Sequence, residues 1–256
     1  MDVRVSADPA GDAARYIVDR LGRAIDESGS ASLAVSGGST APALFAAMRD
    51  AASATGGHDP IEWDRIGVWQ VDERIAPDGD ADRNAGQLSE LSGVVHPMPV
   101  NRLAGADADA GAVAGAEDVA AVAEYAAVLP ARFDVVHLGL GDDGHTASWA
   151  PSPHPDVGRT LTTTDAVFTI SAFNGRRRMT LGVDVVNAAG VRVVLVIGAN
   201  KADAVGRWID GHEQHRDRWI DETLPVAALE PVDTIVFLDH AAAGALRSAD
   251  ASEART

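Results

Sequence analysis

The chain has 256 residues, 46% hydrophobic and 23% charged, enough for a full core and ordinary for a globular protein. Its net charge of −17 excludes a general nucleic-acid or anionic-membrane binder, since both need a basic footprint; an anionic ligand must be met by a local cluster of Arg or Lys. The absence of cysteine excludes disulfides, thiolate zinc sites and cysteine nucleophiles, and the start "MDVRVSADPAGDAARYIVDRLG" lacks a secretory layout, so a soluble cytoplasmic protein is expected.

After Asp8-Pro9, Ala13, Ile17, Leu21 and Ile25 recur at helical spacing, and Gly29 closes that helix. "ASLAV" (31–35) reads as a strand, followed by "SGGST" and the helical "APALFAAM". "RIGVWQV" (65–71) reads as a second strand. The low-complexity tract 104–116 is expected to be a loop leading into the helix "EDVAAVAEYAAVL", which Pro130 ends. "FDVVHLG" is the third strand, and "VFTIS", "VRVVLVIG" and "DTIVFLD" supply three more. Helical segments are expected around 180–189, 201–209 and 240–248.

Strands alternating with helices, several of them continuously apolar, predict an α/β fold. The expectation is a single Rossmann-like domain over residues 1–256, its mostly parallel sheet covered by helices on both faces. Ligands in such sheets bind at the carboxyl ends of the strands. Three polar loops lie at such ends: "SGGST", "DER" (72–74) and "GLGDDGHTAS" (139–148).

"SGGST" (Ser36, Gly37, Gly38, Ser39, Thr40) opens a helix through two glycines and two hydroxyls, which suits either a phosphate or a tight turn with an ordinary cap. In "DER", Arg74 can clamp a phosphate and Asp72 can accept sugar hydroxyls; a solvated loop with local charge pairs is the alternative. In the third loop Gly139, Gly141 and Gly144 free the backbone to aim amides at a ligand. His145 is expected at the start of the following helix, with Asp142 and Asp143 available to orient its ring. Arg176, Arg177, Arg178 and Lys201 add cations downstream, and with Arg74 they predict a basic pocket for a phosphorylated ligand. His212 and His215 read as a solvated helix face rather than metal ligands, His137 as a core histidine and His154 as part of a rigid loop. Ser36 and Ser39 do not form a nucleophile elbow.

The segments "LAVSGGST", "WDRIGVWQVDER" with "DRN", "FDVVHLGLGDDGHTAS", "RRRMTL" and "VIGANK" occur in order over about residues 31–201, and with them the chain resembles the 6-phosphogluconolactonases. These share a superfamily with the glucosamine-6-phosphate deaminases. The resemblance implies hydrolysis of 6-phospho-D-glucono-1,5-lactone without a redox cofactor or required metal. It implies His145 as the base that activates water and Asp143 as its orienting carboxylate. Arg74, Arg178 and Lys201 would hold the phosphorylated substrate, with Asp72, Asn84, Gly141 and the 36–40 turn as further contacts. The only partner implied is the small phosphorylated lactone, with no nucleic acid or membrane, and a monomer or small homo-oligomer is expected. Three departures affect the rim: Ala41 ahead of Pro42, Arg83 in place of a serine before Asn84, and "WAPSP" after "TAS". A deaminase or a non-catalytic sugar-phosphate binder is the alternative; against the deaminase stand Arg74, where the deaminases carry tyrosine, and "SWAPS" in place of their asparagine–glutamate pair.

Overall fold

The computed structural model describes residues 1–53, 61–104 and 116–246. In chain order its strands are β1 (Asp2–Val5), β2 (Ala31–Val35), β3 (Ile66–Gln70), β4 (Asp72–Arg74), β5 (Val94–His96), β6 (Val135–Gly139), β7 (Val167–Phe173), β8 (Arg176–Leu181), β9 (Val191–Val196) and β10 (Thr234–Leu238). The helices are α1 (Pro9–Ser28), α2 (Ala41–Ser53), α3 (Ala85–Leu88), α4 (Ala116–Ala127), α5 (Val157–Thr162), α6 (Val183–Asn187) and α7 (Ala202–His215).

Seven strands pair in parallel in the order β1-β10-β9-β6-β2-β3-β5, and β4, β8 and β7 form a separate antiparallel sheet. The continuous apolar runs of the parallel strands follow from burial on both faces. Leu33, Val35, Val135, Val193, Leu195 and Phe237 point towards α1 and α2, packing with Ile17, Leu21, Phe45 and Met48. Their strand neighbours Ala34, Val136, Leu138, Val194 and Val236 join Tyr125, Val186, Val205 and Trp208 on the opposite face. The expected sheet with helices on both faces is therefore the observed one.

α1 has the ends its sequence signals: the Asp8 carboxylate accepts from the Gly11 N–H at 3.0 Å, and the Gly29 N–H donates to the Ile25 carbonyl at 2.8 Å. Chain order runs from β2 outward to β3 and β5, then returns to β6 on the other side of β2. That reversal opens a crevice at the carboxyl ends of β2 and β6, where ligands bind in open α/β sheets. Among the described residues no helix is long and apolar enough to cross a membrane.

Two expectations are corrected. Thr180 and Leu181, at the start of the segment expected to be helical over 180–189, belong to β8, and only Val183–Asn187 is helical. The branched and apolar "MTL" run pairs with both β4 and β7, a tertiary partnership that overrides local propensity. No helix begins at His145 either: Ala147 has φ 50° and Trp149 is buried, its indole N–H donating to the Leu181 carbonyl at 3.0 Å. The next helix is α5. Residues 105–115 of the low-complexity tract lie outside the described residues, as does the end of the last expected helix; its described part is a 3-10 turn over Ala242–Ala245.

His137 is a core histidine, as expected, but not a satisfied one. It is fully buried on the α1–α2 face, near Phe45, with both ring nitrogens unpartnered. Burial pushes its pKa down to about 3. The ring thus folds neutral, whereas the unfolded chain takes up a proton below the ordinary histidine value of about 6.5. Stability is complete above that value and should fall by about 1.4 kcal/mol per pH unit between roughly pH 6 and 4. Denaturant melts at these pH values should show a shallower acid slope in His137→Leu; an unchanged slope would refute the assignment.

Candidate active site

The crevice between β2 and β6 opens into a cleft of about 230 Å³. Ser36, Gly37, Gly38, Ser39 and Thr40 line it from the β2–α2 turn, Gly139, Gly141, His145 and Thr146 from the loop after β6, and Lys201 from the turn after β9. The small sheet covers it with Asp72 and Arg74 on β4, Arg178 on β8 and Asn174 at the β7–β8 hairpin, and Asn84 completes the wall.

The loop after β6 folds as a compact turn. The Gly141 N–H donates to the His145 carbonyl at 2.8 Å, the Gly144 N–H to the Gly141 carbonyl at 3.2 Å, and the Thr146 hydroxyl to the Gly139 carbonyl at 2.8 Å. The amides of Gly141 and Gly144 are thus already engaged, which removes them as donors to a ligand and corrects that expectation. The turn sets the His145 Nδ1 2.5 Å from the Asp143 carboxylate, which also accepts from the His145 backbone N–H at 3.1 Å. Nε2 remains for the cleft. Burial pushes the Asp143 pKa up, but the bonds from the His145 ring and backbone and the attraction to its imidazole outweigh it and hold the carboxyl below its ordinary value. Asp143 therefore stays ionised to below the usual carboxylate range and loses its hold on the ring only on strong acidification. Asp142, the other candidate orienter, lies 3.7 Å from Lys201 Nζ instead.

Arg74, Arg178 and Lys201 are the cations of the cleft. Arg74 donates through Nη1 to the Asp82 carbonyl at 2.9 Å and the Asn84 side-chain oxygen at 2.6 Å, leaving its buried Nε without a protein partner. Arg178 is held by its Nε–H to the Phe173 carbonyl at 3.1 Å and lies 3.7 Å from the Asp72 carboxylate, which accepts from the Ser148 hydroxyl at 2.6 Å. Burial lowers the Arg178 pKa, although Asp72 opposes the shift.

Arg176 and Arg177 do not join them. Strand alternation turns Arg177 away to the buried Asp118 at 2.5 Å, and Arg176 pairs with Asp80 and Asp82 outside the cleft. Arg83 is buried too, bonded to Glu73 at 3.0 Å and Asp78 at 2.9 Å, so it supports the wall rather than forming the rim. Among the described residues no metal-holding cluster forms, and His215 stacks on Trp219.

Sequence reasoning passed over Asn174 and Phe173. The Phe173 ring meets His145 at a centroid distance of 5.0 Å and lies beneath the Arg178 guanidinium. The one available signal was "NG" (174–175) between two apolar runs, a two-residue hairpin pair whose positive φ values, 52° and 82°, suit these residues.

Gly141 is required sterically. A Cβ there would stand 2.1 Å from His145 Nδ1 and 2.5 Å from the Asp143 carboxylate. Gly37 admits the Asn84 amide in the same way, a Cβ falling 2.3 Å from its oxygen. Gly141→Ala should break the His145–Asp143 bond and cost about 1–3 kcal/mol. The His145 ring signals in NMR and the thermal midpoint check this; unchanged ring signals would refute it.

The family model for glucosamine-6-phosphate isomerases/6-phosphogluconolactonase matches residues 5–237. A 6-phosphogluconolactonase of Synechocystis is 33% identical over 198 residues, covering 74% of this chain and 76% of the relative. One of Mycobacterium bovis is 31% identical over 248 residues, covering 92% and 93%. The structure of the 6-phosphogluconolactonase from Trypanosoma brucei superposes with a TM-score of 0.73 at 22% identity, covering 96% of this chain and 98% of that one, a likeness of fold. The sequence match along nearly the whole chain, with the same architecture, establishes that this protein belongs to the glucosamine-6-phosphate isomerase/6-phosphogluconolactonase family.

Proposed function

We propose that the chain hydrolyses 6-phospho-D-glucono-1,5-lactone to 6-phospho-D-gluconate, in the oxidative pentose phosphate pathway, with His145 as general base. The observation that carries this reading is the pairing of one imidazole, bonded to a carboxylate through Nδ1, with three cations in the same cleft. The wider reading is one domain over residues 1–256, acting in the cytoplasm as a monomer or small homo-oligomer, without cofactor.

The reaction needs little beyond placement and proton transfer. Water held at Nε2 of His145 attacks the lactone carbonyl carbon and gives its proton to the ring. The carbonyl oxygen becomes an oxyanion facing Arg178 or Lys201. When the intermediate collapses, the bond from the carbonyl carbon to the ring oxygen breaks and that oxygen takes the proton back from His145. The product acid then loses a proton to solvent. General-base help of this kind is worth roughly a hundred- to ten-thousand-fold, and Asp143 steadies the imidazolium formed in between. The 36–40 turn, at the N-terminal end of α2, and Arg74 suit the remote phosphate, whose binding holds the ring still for attack.

A stopped-flow assay with freshly generated lactone tests the proposal. His145→Ala should lower kcat by about a hundredfold or more. Arg74→Ala should mainly raise KM, by about tenfold or more, the loss of a charge-assisted phosphate contact. The rate should fall on acidification, because a protonated Nε2 cannot accept a proton from water. Full turnover by His145→Ala would remove the base from the mechanism, and equal rates with phosphorylated and unphosphorylated lactone would remove the phosphate site.

A further inference from the structure

A base must be held in a plane as well as at a point. The covalent link at Cγ and one hydrogen bond, from Nδ1 to Asp143, hold one edge of the His145 ring and leave it able to tilt about that edge. Nε2, at the far side of the ring, moves most in such a tilt. A second constraint has to come from the flank, and the described residues offer one large planar group there. The Phe173 ring stands perpendicular to the imidazole, at 84°, with centroids 5.0 Å apart, the edge-to-face arrangement that aromatic pairs prefer.

Phe173 is itself well held. It is buried in a small cluster with Ala150, Phe168 and Ile170, apart from the two main cores. A second imidazole, His154, meets it at 5.9 Å and again at 84°. The His154 ring is held in turn, its Nδ1 accepting from the Asp156 N–H at 3.2 Å. The Arg178 guanidinium lies 5.0 Å from the Phe173 centroid. The irregularity in β7–β8 pairing between Ile170 and Phe173 redirects the strand just where the ring must reach the β6 loop.

We propose that Phe173, wedged between His145 and His154 at the end of β7, is a positioning residue that fixes the plane of the His145 imidazole so that Nε2 faces the cleft. The inference rests on the reading of His145 as the base. It also separates two effects of the hairpin. Arg178 loses the face of the ring on substitution but keeps its bond to the Phe173 carbonyl, a main-chain group, whereas His145 meets the side chain alone. Losing the ring should therefore impair turnover more than substrate binding.

Two variants and two readouts test this. Phe173→Leu keeps apolar bulk but removes the planar wall; Phe173→Tyr keeps the wall. With both folded, as judged by thermal midpoint, Phe173→Leu should lower kcat by about tenfold to a hundredfold with KM within about threefold, the scale expected when a reacting group is misplaced by about an ångström. Phe173→Tyr should retain kcat within about threefold. Unchanged kcat in Phe173→Leu, or equal loss in both variants, would overturn the proposal. In the ligand-free protein, His145 ring resonances should show one fixed ring orientation in wild type and averaging in Phe173→Leu. This second readout needs no substrate, so it judges the wedge even if the lactonase reading fails, and an undisturbed ring in Phe173→Leu overturns the wedge alone.

Discussion

The Glu73 carboxylate has no solvent exposure, yet it accepts five hydrogen bonds. Gln70 Nε2, Arg83 Nε and the amides of Arg74, Asn84 and Ala85 all converge on it at 2.7–3.0 Å. A buried carboxylate without such partners costs several kcal/mol, so these segments are held in one arrangement together. The Asn84 side chain is then fixed, donating to the Asp72 carbonyl at 3.0 Å and accepting from Arg74 Nη1 at 2.6 Å. The wall of the cleft thus inherits its shape from a buried group that does not itself line it. Gln70 extends the anchorage: its side-chain oxygen accepts from the Met98 amide at 2.7 Å, while the Tyr125 hydroxyl of α4 spans its backbone N–H and carbonyl, each at 2.8 Å.

The parallel sheet was legible in the sequence because continuous apolar runs and helical spacing are local signals, and the buried strands "ASLAV" and "VRVVLV" carry them strongly. The polar loops were legible because strand ends are where such sheets bind ligands. The small antiparallel sheet was not. β4 has only three residues, and β8 carries three consecutive arginines whose separate destinations depend on Asp118, Asp80 and Asp72, far away in sequence. Nor could spacing reveal which loop amides remain open, since Gly141 bonds back to His145 only once the turn has closed. Phe173 was hidden for the same reason: its role lies in a contact between β7 and the β6 loop, which no periodicity encodes.

The site straddles two sheets. The parallel sheet carries the His145 loop and the 36–40 turn, and the antiparallel sheet carries Arg74, Arg178 and the 173–175 hairpin. They are joined by polar contacts, among them Ser148 to Asp72 and the Trp149 indole to the Leu181 carbonyl, and by an apolar core that Met179 and Leu181 share with the parallel strands, whereas Phe173 packs in a small cluster of its own. Substitutions in the hairpin can therefore alter the placement of the base while leaving both cores intact.

Three cations gathered in one cleft of a chain with net charge −17 have a consequence for the catalytic cycle. Beyond about one Debye length, roughly 8 Å at physiological salt, an approaching phosphate ester is screened from the acidic body, and within the cleft it meets a locally attractive field. Opening a lactone adds a carboxylate, so the ligand leaves with one more negative charge than it brought. The field that draws the ester in holds the open-chain acid more firmly, and release of product is the step that this gathering of cations resists.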